Sequence, residues 1–193
     1  MNRAHVCPWW CCFTFDNPLR RLLHNPEAIL SPYMRPGFTA IDIGPGMGFF
    51  TVAMCRLAGK EGRVIAADLQ QKMLDGVMLR VRRSGLANRL KTVRSTPADL
   101  RVGGKADFVL AFWMVHEAPD KKRFLGQIAA LLKPKGKFLL VEPYLHVGKK
   151  AFDLTLEEAN ATGLILEGTP RIALSRSALF AAPRKVKVAA QGK

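Results

Sequence analysis

Three glycines, Gly44, Gly46 and Gly48, alternate with other residues directly after the apolar run Thr39–Ile43. Glycine has no Cβ, so a chain that carries it can turn sharply and approach a ligand closely. Dinucleotide-binding loops follow the pattern G-x-G-x-x-G, whose third glycine lets the helix pack against the strand. Phe49 occupies that third position here. The spacing therefore predicts close contact with a ligand and disfavours a nicotinamide or flavin dinucleotide.

A carboxylate, Asp68, follows the next apolar run, Val64–Ala67, about 20 residues beyond Gly48. In nucleotide-binding α/β folds, an acidic residue at this distance accepts hydrogen bonds from ribose hydroxyls. A carboxylate at a buried strand end is costly unless a ligand or solvent satisfies it. Alternatively, Asp68 caps the following helical segment, Gln70–Arg83, and the two roles are compatible. The sequence predicts that Asp68 binds a ribose.

The elements that would position these residues are short β-rich runs alternating with amphipathic helical patterns. This alternation is typical of a parallel sheet covered by helices on both faces, so we predict one doubly wound α/β domain. The predicted strands are Thr39–Ile43, Arg63–Ala67, Leu90–Arg94, Ala106–Ala111 and Gly136–Val141, followed by two short strands. The predicted helices are Phe49–Leu57, Gln70–Arg83, Lys121–Leu132 and about Ala151–Thr162.

Several of these segments together resemble the class I S-adenosylmethionine-dependent methyltransferases. The run Asp42–Gly48, D-I-G-P-G-M-G, is similar to the first motif of that family. Ala106–Ala111 is similar to its fourth strand, and Leu131–Glu142 to its L-K-P-G-G turn and fifth strand, with Lys135 at a usual glycine. The similarity covers about residues 36–180. It implies a Rossmann-like, doubly wound, seven-stranded α/β sheet that is mostly parallel with an antiparallel last strand, and S-adenosylmethionine as cofactor.

The resemblance also implies which residues hold the cofactor. One departure from the family pattern follows the third strand, where Thr96 stands in place of the acidic residue that usually holds the adenine amino group. Adenine would then be held by backbone groups, by Thr96 or by Asp99. The implied cofactor-binding residues are Asp42, Gly44, Pro45, Gly46, Gly48, Phe49, Asp68, Leu69, Thr96, Pro97 and Phe112.

The acceptor of the methyl group is expected beyond the fourth strand. His116 has a pKa suited to proton removal near neutrality, and Glu117 is placed to orient it. The alternative is that His116 only packs or caps at the following helix, since a base is optional for acceptors with a free lone pair. Trp113 and Tyr144 are candidate substrate contacts, and Glu142 closes the same crevice with Tyr144.

The N-terminal run Cys7-Pro8-Trp9-Trp10-Cys11-Cys12 leaves three hypotheses open. The first is an apolar lid that places Trp9 and Trp10 on the substrate. The second is packing in the core, and the third is a thiol site for a soft metal or metalloid. Its C-x3-C-C spacing fits no standard zinc pattern, so we predict no bound metal. We expect residues 1–35 to form a cap, 36–182 the cofactor-binding domain and 183–193 a basic tail.

The charge is strongly positive, with 30 Lys and Arg against 15 Asp and Glu, a net charge of +15. Such a field attracts anions without specifying a fold, so nucleic acid stays open as a partner. No apolar run approaches the roughly 20 residues of a membrane span, and the cysteines do not form a disulfide framework. We therefore expect a cytoplasmic protein with no membrane partner, and the sequence leaves its oligomeric state open.

A small-molecule acceptor is favoured, because the segment after the fifth strand has no added domain for a macromolecule. An RNA acceptor is disfavoured, because the fourth strand lacks the N/D-P-P-Y/F signature and no aromatic residues interleave a basic patch. A third hypothesis is a domain that binds the cofactor without methyl transfer.

Overall fold

Seven strands lie in residues 23–184, the part of the chain that this computed structural model describes. They are β1 (Thr39–Ile43), β2 (Arg63–Asp68), β3 (Leu90–Arg94), β4 (Ala106–Phe112), β5 (Leu132–Pro143), β6 (Ile165–Gly168) and β7 (Ser175–Ala181). They form one sheet in the order β3-β2-β1-β4-β5-β7-β6. The pairs from β3 to β5 are parallel, and β7 is antiparallel to both β5 and β6. The predicted fold class is confirmed, including the antiparallel last strand.

Five α-helices are found in the described range: α1 (Pro26–Leu30), α2 (Phe49–Ala58), α3 (Gln71–Arg83), α4 (Lys121–Leu131) and α5 (Lys149–Ala161). Two of them begin at side-chain caps. Asn25 Oδ1 accepts a hydrogen bond from the Ala28 amide, and Asp120 Oδ1 accepts one from the Arg123 amide. A short 3₁₀ turn at Val115–Glu117 follows β4.

Each face of the sheet carries its own apolar core. On one face α2 and α3 pack Phe50, Met54 and Val77 against the sheet, and on the other α4 and α5 pack Leu125 and Phe152. Strand β4 lies in the middle and six of its seven residues are buried. Burial on both faces explains why its sequence is a continuous apolar run rather than an alternating one.

The chain reverses its direction of travel across the sheet at β1, which pairs with β2 on one side and β4 on the other. In doubly wound folds, the connections diverge to opposite faces at this point and leave a crevice beyond the carboxyl ends of the strands. The glycine loop follows β1 directly, and His116 follows β4. The topology therefore places the two predicted halves of the site at one edge of the sheet.

Strand β5 begins earlier than predicted, at Leu132, and α4 ends at Leu131. The pairing register between β4 and β5 shifts near the start of both strands, across the K-P-K-G segment. Lys135 there has φ of 70°, a left-handed conformation that favours glycine. This is the position at which the sequence pattern led us to expect glycine.

Candidate active site

A cavity of about 690 Å³ opens beyond the carboxyl ends of the central strands. Small-molecule sites typically have volumes of about 300–1,000 Å³, so this one has room for a cofactor and a small acceptor. Most residues predicted from the sequence to form the site line it. They are Asp42, Gly44, Pro45, Gly46, Phe49, Asp68, Leu69, Thr96, Pro97, Phe112, Trp113, His116, Glu117 and Tyr144.

The glycine loop, residues 44–48, contains three glycines with left-handed backbone conformation. Gly44 and Gly46 have φ of 64° and 55°. A Cβ added at Gly44 would lie 2.8 Å from Met114 Cγ, so this position has no room for a side chain. Gly48, also left-handed, precedes α2 and lies against Val77 of α3 instead of the cavity wall. The structure gives Gly48 a packing position, and the cofactor contact predicted for it stays a prediction.

Asp42, at the carboxyl end of β1, is buried in the cavity wall. Thr51 of α2 donates a hydrogen bond of 2.6 Å from its Oγ1 to Asp42 Oδ2. A buried carboxylate needs such donors, because burial without them costs free energy. Thr51 therefore ties the start of α2 to the end of β1 directly beside the glycine loop.

Asp68 ends β2 on the opposite side of the same loop. Its Oδ1 accepts a hydrogen bond of 2.8 Å from the Gln70 amide, so it also orders the entry to α3. Burial raises the pKa of Asp68 to about 6, opposed by backbone hydrogen bonds from Gln70 and Leu69 and reinforced by the charge of Glu117. An acid with this environment gains from a hydrogen-bond donor that satisfies its charge.

After β3, a tight turn between Thr96 and Asp99 forms part of the cavity wall. Thr96 and Asp99 form an isolated bridge, and the Thr96 hydroxyl lies within hydrogen-bond distance of the Asp99 amide and carbonyl. Gln127 of α4 accepts a hydrogen bond of 2.8 Å from the Leu100 amide and lines the cavity. Sequence reasoning missed Gln127, whose only signal is a polar residue within the apolar stripe of α4.

His116 also lines the cavity, and its partner is Glu142 at the end of β5. The Glu142 carboxylate accepts a 2.8 Å hydrogen bond from the His116 amide and lies 2.6 Å from His116 Nδ1. The Glu142 side chain is only 2% exposed and that of His116 is 23% exposed. The sequence assigned the orienting role to Glu117, but the carboxylate in contact with Nδ1 is that of Glu142. The pairing of β4 with β5 brings the two strand ends together.

The pKa of His116 is raised despite its burial, which alone would lower it. The hydrogen bond and charge of Glu142 raise it, as does the charge of Glu117, while Lys121 lowers it. His146 also packs against this ring, edge to face at 5.6 Å between ring centroids. His116 thus combines a fixed orientation with a pKa raised above its ordinary value, and both properties suit a general base.

The far end of the cavity is apolar and aromatic. Trp113 has φ of 60° and donates from Nε1 to Ser175 Oγ at 2.9 Å, which holds its strained backbone in place. Tyr144 and Leu174 line the same end and are 51% and 56% exposed. The buried side chain of His24 packs edge to face against Trp113.

The predictions for Trp9, Trp10, Cys7, Cys11 and Cys12 fall outside the described residues. Within residues 23–184, no group of three or more metal-binding side chains is found. No helix in the same range is long and apolar enough to cross a membrane.

Comparison with known proteins identifies the family to which the chain belongs. The family model described as "Methyltransferase domain" matches residues 40–136, which is half of the chain and includes the glycine loop, Asp68 and His116. The chain belongs to this family. The resemblance to S-adenosylmethionine-dependent methyltransferases is confirmed, and so is S-adenosylmethionine as cofactor.

The chain is also similar to individual methyltransferases, in sequence or in structure. The chain is 28% identical over 124 residues to the ubiquinone/menaquinone biosynthesis C-methyltransferase UbiE of Shewanella sp. (strain W3-18-1), a match covering 62% of this chain and 49% of that protein. It spans about half the length of the curated relatives it matches. A SAM dependent methyltransferase from Aquifex aeolicus has a TM-score of 0.82 at 20% identity, covering 91% of this chain and 99% of that one. The N-methyltransferase NodS of Bradyrhizobium japonicum, solved with S-adenosyl-L-homocysteine, has a TM-score of 0.68 at 14% identity, covering 88% and 90%. These similarities to solved structures show the fold.

The described residues fit S-adenosylmethionine in three respects. Gly44 and Gly46 line the cavity with left-handed backbone and no Cβ, so a ligand can approach the loop backbone closely. Asp68 supplies a partly buried carboxylate for ribose hydroxyls. The cavity continues without interruption to the apolar end beside His116. One cavity therefore borders the glycine loop, Asp68 and His116 together.

Proposed function

We propose that this methyltransferase transfers the methyl group of S-adenosylmethionine to an apolar small-molecule acceptor by in-line displacement. The observation that carries this proposal is the single cavity that joins Asp68 and the glycine loop to the aromatic end at Trp113 and His116. A donor and an acceptor held in one cavity react in a fixed geometry, and such positioning supplies about 7–11 kcal/mol of a barrier.

When bound, S-adenosylmethionine supplies an electrophilic methyl group on a positively charged sulfur. The chain's own residues do the rest. Gly44 and Gly46 would hold the cofactor against the loop backbone, and Asp68 would accept hydrogen bonds from the ribose hydroxyls. Phe112 and Trp113 would exclude water from the reacting end and fix the plane of the acceptor. His116 faces that end with Glu142 behind it.

The relatives support a small molecule as acceptor. The UbiE protein is named a C-methyltransferase of ubiquinone and menaquinone biosynthesis, a name that points to a small-molecule acceptor and not to a nucleic acid. The apolar lining at Phe112, Trp113 and Leu174 suits an acceptor of that polarity. The proposal for this chain is limited to the class of small apolar acceptors and does not extend to a named substrate.

The experiment is a methyl-transfer assay with methyl-labelled S-adenosylmethionine and a panel of phenols, amines, thiols, metalloids and RNA. We expect label to appear in at least one small apolar compound, and Asp68→Ala to raise the KM for S-adenosylmethionine by about 10–150-fold. Asp75→Ala, a change at an exposed carboxylate of α3, is the matched control and should leave the rate unchanged. Label incorporated into RNA alone would overturn the proposal.

The charge of +15 favours RNA methylation as the second candidate. Polyanion binding that depends on phosphate contacts weakens steeply as salt is raised. A salt-sensitive gel shift with RNA, together with label transfer to that RNA, would establish this second function. Binding without label transfer would show only a basic surface.

A further inference from the structure

One buried carboxylate, that of Glu142, contacts His116 at two points, the backbone amide and the imidazole nitrogen Nδ1. Glu142 Oε1 accepts from the His116 backbone amide at 2.8 Å, and Oε2 lies 2.6 Å from Nδ1. We propose that Glu142 positions His116 as the general base for an acceptor that carries a weakly acidic hydroxyl group, a phenol, so that this methyltransferase ionises its acceptor before methylation. This inference rests on the proposed function and names its substrate class.

The geometry determines which ring nitrogen faces the acceptor. An ionised carboxylate only accepts hydrogen bonds, so Nδ1 must carry the proton in the contact with Glu142. In the neutral imidazole the proton on Nδ1 leaves a lone pair on Nε2. His116 lines the cavity, so Nε2 is the nitrogen that can accept a proton from a ligand there. The same division of roles, with a carboxylate fixing the tautomer of a histidine base, is the logic of the serine-protease triad.

The class of acceptor follows from which acceptors need a base to remove a proton before methyl transfer. A phenol has a pKa near that of tyrosine, about 10, so roughly one molecule in a thousand is ionised at pH 7. A thiol has a pKa of about 8.5 and provides a few per cent of nucleophilic thiolate unaided. A positioned base contributes about 10²–10⁴-fold to the rate when a proton must leave. A buried Glu–His pair therefore has a use with a hydroxyl acceptor that it lacks with a thiol.

The step balances in atoms and charge. The acceptor O–H proton passes to Nε2 of His116, which becomes a cation stabilised by the Glu142 carboxylate. The electron pair left on the acceptor forms the new bond to the methyl carbon as the bond between that carbon and sulfur breaks, and the sulfur keeps its electron pair and loses its positive charge. An ionised phenol carries electron density on oxygen and on the ring carbons ortho and para to it. When the new bond forms at a ring carbon, the hydrogen on that carbon leaves as a proton to solvent and the oxygen takes up a proton, which restores the aromatic ring. The product assay separates O-methylation from C-methylation.

Burial and three groups besides Glu142 set the electrostatics at His116. Glu117 raises its pKa, Lys121 and burial lower it, and His146 faces the ring from the loop after β5. Because Glu142 contributes the two largest raising effects, the wild-type rate should rise with pH through a midpoint above the ordinary histidine value of 6.5. Without Glu142 the remaining effects are led by burial, and the midpoint should fall below that of the wild type.

The test compares Glu142→Gln with the control Glu157→Gln, the same chemical change at an exposed position of α5. A glutamine at 142 keeps the shape of the side chain, but its amide can donate to Nδ1 and so moves the ring proton to Nε2. We expect about 10²-fold slower turnover of a phenol, a lower midpoint, and unchanged S-adenosylmethionine affinity by calorimetry. Glu157→Gln should match the wild type in all three.

Nitrogen NMR of the imidazole in the cofactor-free, full-length protein gives a readout independent of activity. We expect the proton of neutral His116 on Nδ1 in the wild type and on Nε2 in Glu142→Gln. A wild-type proton on Nε2, or an unchanged pH midpoint in a folded Glu142→Gln protein, would overturn the inference, as would thiol methylation slowed as much as phenol methylation. If the wild type methylates no compound, the proposed function fails while the NMR result still decides the role of Glu142.

Discussion

Asp68 is predicted to lower the stability of the cofactor-free protein while it strengthens cofactor binding. Its pKa lies at about 6, compared with an ordinary value of 3.8, because burial and Glu117 disfavour the charge. That difference corresponds to at most about 3 kcal/mol, since each pKa unit is worth about 1.4 kcal/mol. Asp68 is partly exposed and solvent screens its charge, so we expect Asp68→Asn to stabilise the cofactor-free protein by about 1–2 kcal/mol at pH 7.

The pH dependence gives this prediction its sign. An acid whose folded pKa is raised destabilises the fold only when it is ionised. The penalty is absent below the unfolded pKa of 3.8, grows between that value and about 6, and is complete above about 6. The advantage of Asp68→Asn in the free energy of unfolding should therefore be largest at pH 7 and disappear near pH 4.

Urea unfolding of the wild type and Asp68→Asn at pH 7 and pH 4 measures this effect. In thermal unfolding at pH 7, the midpoint of Asp68→Asn should lie about 2–6 °C above that of the wild type. The control is Asp75→Asn, an exposed carboxylate on α3, which should change stability by less than about 0.5 kcal/mol. Calorimetry should show the opposite trend for the ligand, with S-adenosylmethionine binding to Asp68→Asn weakened by about 1.5–3 kcal/mol. A variant that is less stable at pH 7, or a gain that is the same at pH 4, would refute the reasoning.

Two further predictions concern the backbone and a buried hydrogen bond. Lys135→Gly should stabilise the protein by about 0.5–1 kcal/mol in thermal unfolding, because φ of 70° strains a residue with a side chain. Gly136→Ala should lower the thermal midpoint, because its Cβ would lie 2.9 Å from two carbonyl oxygens. Thr51→Val removes the 2.6 Å hydrogen bond to buried Asp42 and should cost about 1–3 kcal/mol, while Thr51→Ser should keep most of it. Equal melting temperatures for Val and Ser at position 51 would show that this hydrogen bond contributes nothing.

The local parts of the fold and site could be predicted because their causes are local. Strand β1 ends where the glycine loop begins, and the left-handed backbone at Gly44 and Gly46 is a property that only glycine provides cheaply. The positive φ at Lys135 coincides with the position where the family pattern has glycine. In these cases the residue type and its neighbours in sequence contain the information.

The partner of His116 could not be predicted because its cause is tertiary. Glu117 is adjacent in sequence, whereas Glu142 is brought to His116 by the parallel pairing of Phe112 with Val141. Gln127 reaches the cavity for a similar reason, since its contact with the Leu100 amide depends on how α4 packs on the sheet. Contacts of this kind depend on strand register and helix packing, which spacing along the chain does not specify.

Calorimetric titration of the full-length protein shows whether the cavity binds S-adenosylmethionine. We expect one site for S-adenosylmethionine and S-adenosylhomocysteine and no measurable heat with NAD. The affinity for both sulfur compounds should fall as the pH is lowered below about 6, because Asp68 becomes protonated there. Binding of NAD without binding of either sulfur compound would show that the cavity is not a site for S-adenosylmethionine.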